Sequence, residues 1–224
     1  MLQLLLLAAV FSTATGAIYS PPFRANMTIL PTDCDPYLMS RCFNVLIQEA
    51  FQLGLTYIHS DPARLAETIE NYITKNGMTG VENVCKVAKD VIKCAQSEPG
   101  QIEACLKPNK LSSVFNISLP FAQGYSAMLK EIGYECTTEY EVFKKHSECI
   151  LQRYPVANIA KDLCVQNYQR AVSAHPEKFC TYYNNMIQCL VASYETCGTE
   201  VTNAVCRTVR YGQGSLVPQC PITC

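Results

Sequence analysis

Three histidines, His59, His146 and His175, are the side chains best suited to acid–base chemistry near neutral pH. A catalytic histidine needs an orienting carboxylate and a nucleophile beside it. Glu148 follows His146 by two residues, and on a helix this spacing points the two side chains toward different faces. His59 comes before a helix start signal and His175 before a proline, so turn and capping roles explain both. We therefore predict no histidine-based catalysis.

Paired carboxylates could instead cleave glycosidic bonds. Five glutamates in the second half of the chain are candidates: Glu139, Glu141, Glu148, Glu177 and Glu195. Acidic residues are enriched where helices begin because they stabilise the positive end of the helix dipole. This structural explanation is sufficient for the set, and we predict no carboxylate pair acting on a substrate.

Two further enzyme signatures are incomplete. The segment from Gly124 through Ser126 to Met128 lacks the second glycine that a serine hydrolase nucleophile elbow requires. The adjacent cysteines of a secreted phospholipase A2 are absent from the sequence. We therefore predict no catalytic residue and no cofactor, and we keep a hydrolase with an unfamiliar site as the third hypothesis of function.

The chain has thirteen tyrosines and no tryptophan. Tyr182, Tyr183 and Tyr194 fall at helical spacing. We expect them to be half-buried core residues whose hydroxyl groups reach water, and a ligand-contact role is the alternative.

Cysteine is the most informative residue type. There are 14, an even number, and the N-terminal sequence indicates an oxidising compartment, so we predict seven disulfides with no free thiol and no metal site. The bonded residues are Cys34, Cys42, Cys85, Cys94, Cys105, Cys136, Cys149, Cys164, Cys180, Cys189, Cys197, Cys206, Cys220 and Cys224. Zinc binding is the alternative, but only Cys220 and Cys224 approach the spacing of a zinc ligand pair.

Cysteine spacing limits which pairs can form. Cys85 and Cys94 are nine residues apart, as are Cys180 and Cys189. On a helix this separation is about 13.5 Å along the axis and places the two on opposite faces, whereas a disulfide needs Cα atoms within about 7 Å. The same argument excludes Cys34 with Cys42 and Cys189 with Cys197, and it excludes Cys136 with Cys149 if helix covers both residues. Pairing must therefore join separate segments, although the connectivity stays open.

Helix start and stop signals divide the first part of the mature chain into three helices. Residues 33–53 are predicted as an apolar helix whose start is indicated by Asp33 and Pro36. Residues 61–77 form the second, which ends at Gly77 because Asn and Gly tolerate a left-handed backbone. The third occupies residues 79–99, opens with capping-box spacing and contains the first cysteine pair that is nine residues apart.

Helical signals weaken in the middle of the chain. Residues 107–120 contain two prolines and a sequon, and we predict a loop there. A shorter helix is predicted over 121–132, interrupted at Gly124. A capping box at Thr138 opens the next helix, which we expect to stop at Pro155.

Residues 156–174 are predicted as a further helix with a mixed polar and apolar face. That face contains Ile159, Leu163, Gln166 and Arg170. The stretch from Phe179 onward continues as helix, breaks at Gly198, restarts with Thr199 as its cap and ends at Gly212. The whole pattern predicts an all-α fold, a disulfide-stapled helical bundle of about eight helices.

The N-terminus and the charge balance suggest where the protein acts. Residues 1–17 have an apolar core and small residues at the cleavage position, which predicts a signal peptide and a secreted chain. The apolar run is shorter than the roughly 20 residues of a membrane span. With 18 basic and 19 acidic side chains and no long run of either, we predict no nucleic-acid partner.

The remaining boundaries complete the domain prediction. Residues 18–33 are an extended arm with three prolines, 34–210 are the helical cysteine-rich domain, and 211–224 are a coil tail. Local pairing of Cys220 with Cys224 is one alternative, but we expect each to bond back to the bundle, since the tail would otherwise have no anchor. Two sequons, at Asn26 and Asn116, predict a glycoprotein.

The domain also contains a partial internal repeat. The segment from Cys85 to Cys94 shares its two end cysteines and an isoleucine with the segment from Cys180 to Cys189. A duplicated unit would place the halves at 33–107 and 134–210, while convergence on a helix with two cysteines explains the same positions.

The cysteine arrangement resembles that of secreted, helical, cysteine-rich invertebrate proteins, notably a nematode extracellular domain family of unknown function and more loosely the insect haemolymph 27-kilodalton glycoproteins. The resemblance rests on Cys34 and Cys42, then Cys85, Cys94 and Cys105, then Cys180, Cys189, Cys197-Gly198 and Cys206. It implies an extracellular all-α disulfide fold and transfers no catalytic residue.

Two functional hypotheses lead. The first is a non-enzymatic extracellular binding or structural glycoprotein whose partner is another protein. The alternative is a carrier of a small apolar ligand in an interhelical cavity, because wide apolar helices braced by disulfides can enclose one.

Overall fold

The computed structural model describes residues 41–42, 62–95, 101–214 and 216–224. Regular structure within these ranges is helical and contains no strand, which confirms the all-α prediction. The predictions for the signal peptide, the arm, Asn26, Cys34 and His59 lie outside the described residues, as does the predicted helix at 33–53 apart from Arg41 and Cys42, which are helical.

Eight α-helices follow one another after the helical pair Arg41 and Cys42 in this part of the chain. They are α1 (Pro62–Ala95), α2 (Gln101–Cys105), α3 (Pro108–Phe115), α4 (Leu119–Thr137), α5 (Tyr140–Lys145), α6 (Ser147–Ala174), α7 (Phe179–Ala192) and α8 (Thr199–Gln213). Short 3₁₀ turns at Pro176–Lys178 and Glu195–Cys197 precede α7 and α8.

Helix α1 consists of the two helices predicted from the sequence, joined at a kink. Gly77 has φ 59° and ψ −136°, a left-handed backbone that breaks the helical hydrogen bonding. Gly80 follows at a close approach, since a Cβ there would lie 2.9 Å from the Ile73 Cα atom. The Asn76-Gly77 stop signal is thus confirmed, although both segments belong to one kinked element.

The predicted loop at residues 107–120 is wrong. Pro108 stands in the first turn of α3 after an extended Lys107, and Pro120 stands in the first turn of α4 after an extended Ser118. Proline suits a helix start because its missing N–H would have no helical partner there. Asn116, with φ 50°, ends α3 between them, so the prolines start two helices here.

Two predicted interruptions are also wrong, because α4 runs through Gly124 and α6 runs through Pro155. An interior glycine costs about 1 kcal/mol and an interior proline about 3 kcal/mol, which packing can outweigh. Helix α6 is bonded on both sides of its proline, through Cys149 and Cys164. The predicted stop at Gly212 is confirmed to within one residue, since α8 ends at Gln213.

The helix starts after these positions differ slightly from the prediction. Glu139, without a side-chain cap bond, is the N-cap of α5, so the capping box expected at Thr138 does not form. Gly198, with φ 96°, is the N-cap of α8 and marks the predicted break, whereas Thr199 is the first helical residue.

Six disulfides join separate segments, as the spacing argument requires. The pairs are Cys42–Cys94, Cys85–Cys136, Cys149–Cys197, Cys164–Cys189, Cys180–Cys220 and Cys206–Cys224. Cys105 is disulfide-bonded as well, and there is no free cysteine among the described residues. Cys220 and Cys224 each return to a helix, so the tail is fastened at two points.

The disulfides divide the chain into two groups. All eight cysteines from Cys149 to Cys224 bond among themselves, so no disulfide joins this C-terminal half, residues 149–224, to the N-terminal half, which ends at Cys136. Cys136 falls in the predicted second repeat, 134–210, but is bonded to Cys85 of the first. The two halves are held together by the backbone and by noncovalent contacts.

The noncovalent contacts between the halves centre on α4, which packs against α8 of the C-terminal half. Within its own half, α4 packs against α1 and α3. Helix α6 packs mainly on α7 within the C-terminal half. One continuous apolar core includes residues from both halves, such as Met128 of α4 and Val205 of α8. The boundary between the halves is therefore an internal interface of a single core.

Candidate functional site

The interface between the halves contains a group of buried carboxyl side chains, of which only Glu139 was among the candidates considered from the sequence. Glu131 and Glu135 of α4 are fully buried, and Glu70 of α1 and Glu139 just before α5 are at most 4% exposed. Glutamate is rarely buried to this degree without a partner. Burial raises the pKa of three of these carboxyls, Glu70, Glu131 and Glu135.

Glu131 and Glu135 lie one helical turn apart on the face of α4 that carries Met128 and Ile132. Glu131 Oε1 accepts a hydrogen bond of 2.7 Å from Gln213 Nε2 of α8. The other oxygen of Glu131 and both oxygens of Glu135 have no hydrogen-bond partner among the described residues. In the same part of the chain, Ser126 and Tyr194 each add a buried hydroxyl group without a partner.

Burial controls the charge of these two carboxyls. It raises the pKa of Glu135 to about 7. It raises the pKa of Glu131 well above its ordinary value, with Glu135 adding to the effect and the Gln213 hydrogen bond opposing it. Both side chains thus favour the neutral form, which can itself donate a hydrogen bond.

Glycine at position 212 is what allows α8 to approach Glu131. A Cβ atom at Gly212 would lie 2.8 Å from Glu131 Cδ, 2.6 Å from Oε1 and closer still to Cγ. The backbone of α8 therefore rests directly on the buried carboxyl group, and the residue that follows, Gln213, donates to it.

A second buried carboxyl joins α1 to α6. Glu70 Oε2 accepts a 2.6 Å hydrogen bond from the Tyr154 hydroxyl group. Burial raises the pKa of Glu70 to about 7, although the Tyr154 hydrogen bond and nearby Lys161 both act to lower it. Lys161 is 4% exposed, and burial lowers the pKa of its ammonium group.

Tyr194 connects the two buried carboxyl sites. It is 2% exposed, and burial raises its pKa, with smaller contributions from Glu135, Tyr154 and Glu70. Tyr183 is fully buried beside Glu131 and packs edge-on against Tyr168 at 6.1 Å. The prediction that Tyr183 and Tyr194 are half-buried with water-exposed hydroxyls is wrong, whereas Tyr182 is partly buried as expected.

The outer edge of the interface is closed by an ion pair and an aromatic stack. Arg207 of α8 donates to Glu139 at 2.6 Å through Nε and at 2.9 Å through its terminal nitrogen. This bidentate bond raises the pKa of Arg207. Tyr134 stacks on Tyr211 with ring centroids 4.7 Å apart.

The other residues considered for catalysis lie apart from this cluster. Glu141, Glu148, Glu177 and Glu195 are exposed, and His175 meets Glu177 at 3.4 Å on the surface. His146 Nε2 lies 2.9 Å from Glu200, not near Glu148, and Lys145 donates to the same oxygen at 2.7 Å. Ser126 is buried within α4. The structure brings none of them together with a second predicted site residue except His175 with Glu177.

Sequence reasoning missed Glu70, Glu131 and Glu135, although a signal existed. Glu131 follows Met128 by three residues and Glu135 follows Ile132 by three, so both fall on the apolar stripe of α4. A carboxylate on such a stripe indicates either a buried partner or a neutral acid.

The described part of the chain offers no cluster of three or more metal-binding side chains. None of its helices is long and apolar enough to cross a membrane.

Comparison of the chain with protein-family models, with curated proteins and with solved structures finds no match. The resemblance to nematode and insect secreted proteins accordingly stays a prediction, and function has to be argued from the geometry.

Proposed function

We propose that this chain is a secreted, non-enzymatic, disulfide-rich glycoprotein that acts as an extracellular binding or structural module. The observation that carries the proposal is the cysteine arrangement. Every cysteine of the described residues is bonded, and the bonds attach α1, α4, α6, α7, α8 and the tail to other segments. Such bonding persists in oxidising compartments.

The perturbed groups support a structural role. A catalytic acid or base must reach a substrate, whereas Glu131 and Glu135 are fully buried and Glu131 lies directly against α8. The exposed glutamates that the sequence offered as candidates stand on separate elements. The raised pKa values are thus explained by burial at an interface between helices.

Asn116 supports the glycoprotein part of the proposal. Asn116 lies between α3 and α4 with a left-handed backbone, and its side chain is exposed. Ser118 of the same sequon is exposed as well. Production in eukaryotic secreting cells should give a chain whose mass falls on glycosidase treatment. Asn116→Gln should remove one glycan, and an unchanged glycan mass in this variant would refute use of the site.

The carrier of a small apolar ligand is the second candidate. The buried hydroxyl groups of Ser126 and Tyr194 and the oxygens of Glu135 have no hydrogen-bond partner within the described ranges of the chain. A ligand with a polar head group could meet such atoms while its apolar part contacts the core.

Native mass spectrometry of the protein purified from its secreted fluid distinguishes the two candidates. A bound protein partner supports the binding module. A co-purifying mass of a few hundred daltons that persists through gel filtration supports the carrier. Turnover by purified protein in broad hydrolase substrate profiling would contradict both.

A further inference from the structure

Helix α6 presents an exposed face with regular spacing along its whole length. Its members follow one another at intervals of three and four residues, as in a heptad pattern. They are Glu148, Gln152, Val156, Ile159, Leu163, Gln166 and Arg170, and all seven are exposed. At 100° per residue they lie within about 60° of Ile159 around the helix axis.

The opposite face of α6 is the one that joins the core. Its buried residues are Ile150, Ala157, Lys161, Cys164, Val165, Tyr168 and Val172. They lie at least about 120° from Ile159 around the axis. The exposed face is therefore separate from the packing of α6 on α7, and the core does not explain its composition.

The centre of this face is apolar. Val156 is 51% exposed, Ile159 66% and Leu163 55%. Scattered exposed aliphatic side chains are ordinary on protein surfaces, but three in line on one helix indicate a contact surface. Ile159 and Leu163 belong to the mixed face that the sequence predicted for this helix, and the structure adds Val156.

Four of the polar residues on this face are arranged symmetrically about Ile159. Glu148 lies eleven residues before it and Arg170 eleven after, while Gln152 and Gln166 lie seven before and seven after. In an antiparallel pair of α6 helices centred on Ile159, each glutamate faces the arginine of the other copy and glutamine faces glutamine. Leu163 then lies opposite Pro155 and beside Val156 of the second copy. Exposed Asp162, at the edge of the face, has no symmetric partner and lies opposite Val156 in such a pair.

We propose that the exposed face of α6 is a self-complementary surface through which two copies of this chain form an antiparallel, two-fold symmetric dimer. Charge selects this arrangement over the parallel one, which would place Glu148 against Glu148 and Arg170 against Arg170. An interface that uses the same patch on both subunits is the commonest form of homodimer.

Two disulfides restrain the helix that carries this face. Cys149–Cys197 and Cys164–Cys189 fix α6 at two points beneath the exposed face, so little order has to be gained on association. The face is about 33 Å long between Glu148 and Arg170 and one helix wide, which is at the small end for a stable interface. The dimer is accordingly weak, with a dissociation constant in roughly the micromolar range.

Sedimentation velocity of the full secreted chain, from about 1 to 200 μM, tests the proposal at a range that brackets a micromolar constant. Unmodified protein should shift from monomer to dimer as concentration rises. Ile159→Glu places two glutamates face to face at the symmetry axis and should raise the dissociation constant by at least about 30-fold. Its circular dichroism should match the parent, because the position is exposed.

Exchanging the charges at the two ends of the face tests the antiparallel arrangement itself. Glu148→Arg and Arg170→Glu should each weaken the dimer about 10-fold, because each converts two opposite-charge contacts into like-charge contacts. The double variant restores opposite charges and should return to within about threefold of the parent. Glu141→Arg, an exposed charge reversal on α5, is the matched control and should leave dimerisation unchanged.

A chain that stays monomeric at 200 μM would overturn the proposal and assign the face to a different protein or to a lipid surface. Dimerisation that Ile159→Glu leaves intact would overturn it too, since the contact would then use another surface. So would a double variant no stronger than its two single variants.

Discussion

A methyl group at Gly212 tests how closely α8 rests on the buried carboxyl group of Glu131. In Gly212→Ala the new Cβ would lie 2.8 Å from Glu131 Cδ and 2.6 Å from its Oε1. Glu131 is fully buried and hydrogen-bonded to Gln213, so it has no route to solvent. The helix or the carboxyl group must shift.

The expected magnitude is the balance of three effects. Alanine is better than glycine inside a helix by about 1 kcal/mol. Overpacking in a core costs about 1 to 3 kcal/mol, and loss of the Glu131–Gln213 hydrogen bond adds about 1 kcal/mol. We therefore expect Gly212→Ala to lower the free energy of unfolding by about 1 to 3 kcal/mol.

Gly133→Ala in α4 is the matched control. Its Cβ would meet the Ile92 Cδ1 atom at 3.4 Å, an ordinary contact, so the helix preference should act alone and stabilise by about 0.5 to 1 kcal/mol. Guanidinium unfolding followed by circular dichroism, with disulfides intact, measures both variants. A Gly212→Ala protein as stable as Gly133→Ala would refute the close approach of α8 to Glu131.

Two other predictions concern charges at the same interface. Because burial raises the pKa of Glu135 from 4.5 to about 7, the folded chain holds this proton more tightly than the unfolded chain. The resulting stability is complete below about pH 4.5 and is lost as pH rises to about 7, by about 3 kcal/mol for this group. Between pH 4.5 and pH 7 the free energy of unfolding of Glu135→Gln should therefore fall by about 3 kcal/mol less than that of the parent, whereas Glu141→Gln should follow the parent. An equal pH dependence in the two variants would contradict the prediction. Arg207→Met leaves Glu139, 4% exposed, without its bidentate partner and should cost about 1 to 3 kcal/mol, reduced because the arginine itself is partly exposed. Lys145→Met, which breaks an exposed pair with Glu200, should cost clearly less stability than Arg207→Met, and equal losses would show that burial of Glu139 is unimportant.

Much of the fold could be predicted from local sequence rules. Cysteines nine residues apart on a helix face opposite ways, and Cys85 and Cys94 indeed bond to different segments. Gly77 and Gly198 break helices because each adopts a positive φ. These predictions succeeded because helix geometry and backbone sterics depend on a few neighbouring residues.

The errors came from effects that depend on the rest of the chain. Pro155 is a strong local stop signal, yet α6 passes through it between two disulfide-bonded cysteines. The two prolines of the predicted loop, Pro108 and Pro120, instead stand in the first turns of α3 and α4. Local rules identify a proline as a break but do not say whether helix lies on one side of it or both.

The buried carboxyls could be located on a stripe but not assigned partners. Nothing near Glu131 in the sequence points to Gln213, 82 residues away. Likewise α6 has apolar residues on two faces, so its sequence does not say which face meets the core. Only the packing on α7 shows that Ile159 is outside.

The central structural claim is that the disulfides close two halves separately and that only backbone and noncovalent contacts join them. A single specific protease site inserted between Thr137 and Thr138, both exposed, would cut the connection between Cys136 and Cys149. After complete cleavage, denaturing electrophoresis without reductant should give two separate fragments, each of which changes mobility on reduction. A single unreduced species that separates only when reductant is added would contradict the account.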